Sequence, residues 1–149
     1  MSERRLATRA LATLAAVRLA LFLMPFRRVR AGVDRWSGGG VTPTPDVATA
    51  KAVKRAVERA ARTLPGSACL ALALTAEVLL RRAGQSVEVL IGVAPGAAAA
   101  DNGTASPAPS ALDAHAWVRC AGVVVTGERA DLAAYRTLAV FGADRPAGS

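Results

Sequence analysis

Apolar positions recur at intervals of three and four between residues 47 and 64. Val47, Ala50, Val53, Val57, Ala60, Ala61 and Leu64 form one stripe, and Lys51, Lys54, Arg55, Glu58 and Arg59 lie off it. That spacing predicts an amphipathic helix opening at Asp46, with Thr44 or Asp46 as its cap. Pro65-Gly66 stops it, and Ser67 is placed to cap a second helix that runs to about Arg82 and is closed by Gly84. Leu70, Leu72, Ala73, Leu74, Ala76, Val78, Leu79 and Leu80 make this second helix apolar almost all round, the mark of the most buried helix in a core. The period then changes to two: Val87, Val89, Ile91 and Val93 alternate, which predicts a strand.

Two further strands, "AHAWVRC" (114–120) and "VVVTGE" (123–128), are separated by Ala121-Gly122, a two-residue hairpin turn. Counting outward from that turn pairs Cys120 with Val123, Trp117 with Thr126 and His115 with Glu128. A bulge would bring Thr126 or Asp131 toward His115 instead. Residues 94–113, rich in Ala, Gly, Pro and Ser, predict a mobile loop, and the tail from Arg129 adds a short helix or strand.

The N-terminal part reads differently. "LATLAAVRLALFLMPF" (11–26) predicts a helix that Pro25 and "FRRVR" end or redirect, and "AGVDRWSGGGVTPTP" (31–45) predicts a linker in which Trp36 acts as a surface lid. The expected organisation is a basic helical segment with linker over 1–43 and a main domain over 44–149, folding as one unit. The order of helices followed by an antiparallel hairpin gives an α+β class. Arg18 interrupts the first helix, the uninterrupted apolar run is shorter than the ~18 residues a span needs, and no small-residue cleavage site follows. A soluble cytoplasmic protein without membrane contact is the expectation, with an interfacial helix as the minor alternative.

Composition narrows the chemistry. The formal charge of +8 suits an acidic partner, nucleic acid or anionic lipid. No helix-turn-helix spacing or aromatic-interleaved basic strand supports nucleic acid. With two cysteines, Cys69 and Cys120, and a single histidine, His115, no metal site or cofactor is expected. In a reducing cytosol the thiols stay free.

Cys69 falls in the first turn of the central helix, where the dipole and unpaired N–H groups favour a thiolate and could hold an oxyanion. His115, on a strand of the following sheet, is the only candidate base, and Glu128 across the ladder could orient its ring. Each residue taken singly has a plainer reading: packing for the cysteine, structure for the histidine, a surface carboxylate for the glutamate. Cys120, five positions from His115 on the same strand, points to the opposite face and is assigned to structure.

"GSACLALALTAEVLLRRAGQSVEVLIGV" followed by "AHAWVRCAGVVV" resembles the stand-alone transglutaminase-like proteases of lasso-peptide clusters, over roughly residues 50–141. The resemblance implies a papain/transglutaminase-like minimal core and a cysteine peptidase that removes the leader from a ribosomally made precursor. It places Cys69 as nucleophile, His115 as general base and Glu128 at the acidic third position, where the family usually has aspartate. It also implies three partners: the precursor leader, a separate small leader-recognition protein and a macrolactam-forming cyclase. A non-catalytic adaptor and a transglutaminase-style acyl transferase are the alternatives, the latter using the same residues.

Overall fold

The computed structural model describes residues 2–37, 45–95 and 112–142. Among them, helices α1 (Glu3–Leu23), α2 (Phe26–Trp36), α3 (Val47–Thr63) and α4 (Cys69–Arg82) precede strands β1 (Glu88–Pro95), β2 (Leu112–Cys120) and β3 (Val123–Thr126). A short 3-10 turn, Leu132–Ala134, leads into β4 (Arg136–Phe141). The strands form one antiparallel sheet in the order β3-β2-β1-β4. The fold is α+β, with the helices on one face of the small sheet.

Every residue of α4 from Ala73 to Leu80 is buried. One core joins α4 to Ala10, Leu14 and Val17 of α1, to Ala50, Val53 and Val57 of α3, and to Val89, Ala116, Val118 and Val125 of the sheet. Fully burying a Leu or Val is worth about 1.5–3 kcal/mol, so α1 is held by the same core as the rest. A smaller cluster, Leu90, Ala94, Trp117 and Tyr135, sits apart from that core. Because strand side chains alternate, it marks the sheet face turned away from α4.

The local signals explain the boundaries. Asp46, not Thr44, caps α3, accepting from the N–H groups of Ala48 (3.0 Å) and Thr49 (3.3 Å). Gly84, at φ +75°, ends α4 in a left-handed residue that only glycine adopts cheaply, and Gln85 N–H closes the turn on Leu80 O at 2.9 Å. α1 spans 21 residues and holds an 18-residue window with a mean hydropathy of 1.7, long and apolar enough by length and composition to cross a membrane. Its Ala10, Leu14 and Val17 are nonetheless packed into the core.

Two expectations need correction. Residues 31–36, read as linker, continue α2, because Val29 and Val33 are buried and Arg30 is fastened to α4. That fastening is a buried ion-pair cluster. Glu77 is fully buried and receives Arg30 Nη1 at 2.5 Å and Nη2 at 2.7 Å, with Arg81 Nη1 at 3.2 Å. Asp34 bridges the two arginines at 3.0 and 2.9 Å. Second, Ser67 does not cap α4: its hydroxyl donates to Leu64 O at 2.8 Å, and Ala68 takes the cap position without a side-chain bond. The proposed division at 43/44 lies outside the described residues, as do positions 96–111 of the loop read over 94–113; the ends of that stretch are strand instead, Ala94 and Pro95 closing β1 and Leu112 and Asp113 opening β2, where they pair with each other across the ladder.

Candidate active site

Cys69 is the first residue of α4, half-buried against the core. With no side chain capping the helix, the first-turn N–H groups are left for another acceptor, and the dipole adds partial positive charge beside the sulfur. Arg18 of α1 steadies the turn just before it, with Nη1 3.4 Å from both Pro65 O and Ser67 Oγ. One turn into the helix, Leu72 lines a cleft of about 340 Å³ together with Lys54, Val57, Thr126, Gly127 and Glu128. The N-terminal end of α4 therefore abuts the exit of β3.

His115 meets the exit of β3 from the other face of the sheet. Its Nε2 lies 2.7 Å from the Gly127 carbonyl oxygen. A carbonyl only accepts, so Nε2 carries the hydrogen and Nδ1 is the nitrogen left for proton transfer. The ring is stacked on Trp117 (centroids 6.1 Å, 18° between planes) and tilted against Tyr135 at 5.5 Å. It thus stands on the sheet face away from α4, not pointing at the helix end as the sequence led one to expect, and Cys69 Sγ makes no hydrogen bond to it. β3 pairs with β2 only as far as Val118–Thr126, so the stretch of β2 carrying His115 has an open edge beside Gly127.

The hairpin register explains what happens to Glu128. Ala121 (φ +50°) and Gly122 (φ +74°) form the two-residue turn and Cys120 pairs with Val123, but the register then shifts: Arg119 faces Val124 while Val118 faces Thr126. Val125 is the extra residue, and it is buried at 1% exposure in the core. The bulge shifts Thr126 from Trp117 to Val118, and with it the counting that set His115 against Glu128. Glu128 Oε2 pairs with Lys54 Nζ of α3 at 2.5 Å instead.

Asp131, the other acidic candidate, is gripped by Arg129 (Nε to Oδ1 3.0 Å, Nη2 to Oδ2 3.3 Å). That fork holds its carboxyl below the usual carboxylate range, with a smaller contribution from the nearby His115. Arg129 also reaches Asp113 at 3.2 Å, and Tyr135 donates its hydroxyl to the same carboxylate at 2.5 Å. The bond to Asp113, followed by desolvation, pushes the Tyr135 phenol up to about 12.

Three features escaped the sequence reading. The Gly127 carbonyl is a backbone group, signalled only by a glycine interrupting "VVVTGE". The Asp113–Tyr135–Arg129 network was half visible, since Asp113 lies two positions before His115 and shares its face. Thr126, which lines the cleft, is 7% exposed and its Oγ1 has no hydrogen-bond partner among the described residues.

A helix that starts on a cysteine, packed on an antiparallel sheet with histidine on its second strand, is matched by one family model, described as the transglutaminase-like superfamily, over residues 10–140. The chain belongs to the transglutaminase-like superfamily. This superfamily includes cysteine peptidases and acyl transferases, and its domains are typically papain-like cysteine enzymes. The superfamily match takes in α1 and α2 as well as the helix and sheet that carry the candidate residues. No curated protein and no solved structure matches the chain.

Proposed function

We propose that this transglutaminase-like protein is a cysteine peptidase that removes the leader from a ribosomally made lasso-peptide precursor. It would work in the cytoplasm with a separate leader-recognition protein and ahead of a macrolactam-forming cyclase. The observation that carries the reading is Cys69 as the first residue of an uncapped central helix, in a chain of this superfamily. The sequence resemblance of "GSACLALAL" and "AHAWV" supplies the substrate class.

In this reading Nδ1 of His115 takes the Cys69 thiol proton and the sulfur attacks the scissile carbonyl carbon. First-turn N–H groups of α4 hold the oxyanion. Collapse breaks the C–N bond, and the proton goes from Nδ1 to the leaving amine. Water then attacks the thioester, giving its proton back to Nδ1, and the C–S bond breaks to release the carboxyl product and the thiol. The chemistry requires the open edge of β2 and the start of α4 to close together on bound substrate. Catalytic hydrogen bonds commonly tighten at that stage. Glu128 or Asp131 would fill the acidic third position; the Asp131 carboxylate, held charged by Arg129 close to His115, has the better electrostatic support.

The test is cleavage of a lasso-type precursor peptide, with and without a leader-recognition protein. Cys69→Ala and His115→Ala each abolish cleavage while the circular dichroism spectrum is retained. Undiminished cleavage by folded Cys69→Ala defeats the mechanism. Supplying an amine such as putrescine separates hydrolysis from acyl transfer, since only the latter incorporates it.

A further inference from the structure

The C-terminal end of α1 turns large apolar side chains toward solvent. Leu19 (59% exposed), Phe22 (86%) and Leu23 (66%) stand three and four positions apart on one face of the helix, and Met24 (40%) follows at its cap. Ala10, Leu14 and Val17 hold the other side of α1 in the core, so the exposed tip belongs to the folded state. Pro25 then turns the chain into α2, whose outward face carries Arg27, Arg28 and Arg35. All three are exposed and make no ion pair among the described residues. The carboxylates of these two helices are engaged elsewhere: Glu3 faces Arg55, and Asp34 bridges Arg30 and Arg81. No acidic residue stands between Leu19 and Val33.

We infer that this α1–α2 corner docks the protein on an anionic lipid surface, against the expectation of no membrane contact. Leu19, Phe22 and Leu23 enter the boundary between headgroups and acyl chains, and Arg27, Arg28 and Arg35 rest among the lipid phosphates. Charge decides against a second copy of the chain as the occupant. A twofold contact sets the same patch against itself, and would bring these arginines together in a protein of net charge +8. A fluid lipid layer closes around a projecting side chain such as Phe22, whereas a protein partner must supply a matching pocket. The contact lies on the bilayer and does not span it, since spanning would strip Ala10, Leu14 and Val17 from the core. Arg18, immediately before Leu19, reaches Pro65 O and Ser67 Oγ in the turn that precedes Cys69. Docking therefore holds the Cys69 end of α4 toward the bilayer.

The experiment sediments the full chain with vesicles of phosphatidylglycerol and phosphatidylcholine in equal parts, and with vesicles of phosphatidylcholine alone. The chain binds the anionic vesicles at least about tenfold more tightly, and high salt weakens that binding. Phe22→Ser and Leu23→Ser, both at exposed positions, each weaken it about tenfold, with circular dichroism showing the variants folded. Arg27→Gln and Arg28→Gln each weaken it about fivefold. Serine variants that bind within about twofold of the unchanged chain overturn the inference, because the adsorption is then only that of a basic protein. So does a chain that binds neither vesicle. Binding that survives both high salt and alkaline carbonate overturns it as well, since that marks a spanning helix. A dimer that Phe22→Ser abolishes, with no vesicle binding, gives the tip to a second copy. Sedimentation reads binding without turnover, so its result is independent of the peptidase reading.

Discussion

Replacing Glu77 by leucine removes the one fully buried carboxylate in α4 and leaves the Arg30 guanidinium, 13% exposed, with Asp34 as its one carboxylate partner among the described residues, beside the Phe141 ring. Burial works against the charge of Arg30, yet the bond to Glu77 and the attraction of Glu77 and Asp34 hold its pKa above the ordinary value. Breaking a buried pair from one side costs about 3–5 kcal/mol, and the surviving Asp34 bond puts this case near the lower figure, about 3 kcal/mol. A chain of this size loses about 2–4 °C of melting temperature per kcal/mol, so the midpoint falls by about 6–12 °C. Urea titration followed by far-UV circular dichroism reads the free energy directly. Asp34→Asn, at an exposed partner, costs less than about 1 kcal/mol. Adding Arg30→Met to Glu77→Leu removes the stranded charge and restores most of the loss. A cost under about 1 kcal/mol for Glu77→Leu, or a double variant no better than the single, refutes the claim that this cluster fastens α2 to α4.

Thr126→Val deletes a buried hydroxyl that has no partner among the described residues, so stability in urea rises by about 1 kcal/mol. If substrate uses that hydroxyl, kcat for precursor cleavage falls in the same variant. Gly127→Ala sets a Cβ 2.5 Å from Ala116 O and 2.8 Å from Trp117 Cβ at φ +75°. It displaces the carbonyl that holds His115 and costs cleavage as well as stability, whereas Gly122→Ala, at φ +74° with open space around it, costs about 1–2 kcal/mol and leaves cleavage intact. Asp113→Asn brings the Tyr135 phenol from about 12 back toward an ordinary value near 10, read from phenolate absorbance. Because the folded pKa is the higher one, the stabilisation from Tyr135 is complete below about pH 10 and is lost as pH rises through about 12. Iodoacetamide under native conditions labels the half-buried Cys69 before Cys120, which is 3% exposed and whose thiol burial pushes up; peptide mapping by mass identifies the alkylated residue.

The helices with a clear stripe and the alternating strands were legible because burial imposes their period directly. The stripe from Val47 to Leu64 became α3, and Val87, Val89 and Ile91 mark the start of β1. α2 was hidden because its residues 26–36 bury only Val29 and Val33, and the ion pairs that complete its attachment involve Glu77, 47 residues beyond Arg30 and disguised inside an apolar run. The two-residue turn gave the first hairpin pair correctly. The bulge at Val125 could not be counted from sequence, since it answers to the space the core leaves for one more valine. Cys69 and His115 stood out by chemical type. The group bonded to His115 did not, because a main-chain oxygen carries no residue letter.

That main-chain oxygen changes how the imidazole responds to mutation. A side-chain carboxylate can be deleted by a single codon change or neutralised by acid, while the Gly127 C=O survives both. What can disturb it is geometry: an inserted residue or a proline in the short exit segment would swing the ring even when every acidic residue nearby is intact. A saturation library across 126–128 would accordingly sort by backbone shape, with charge reversal at 128 tolerated far better than insertion beside it.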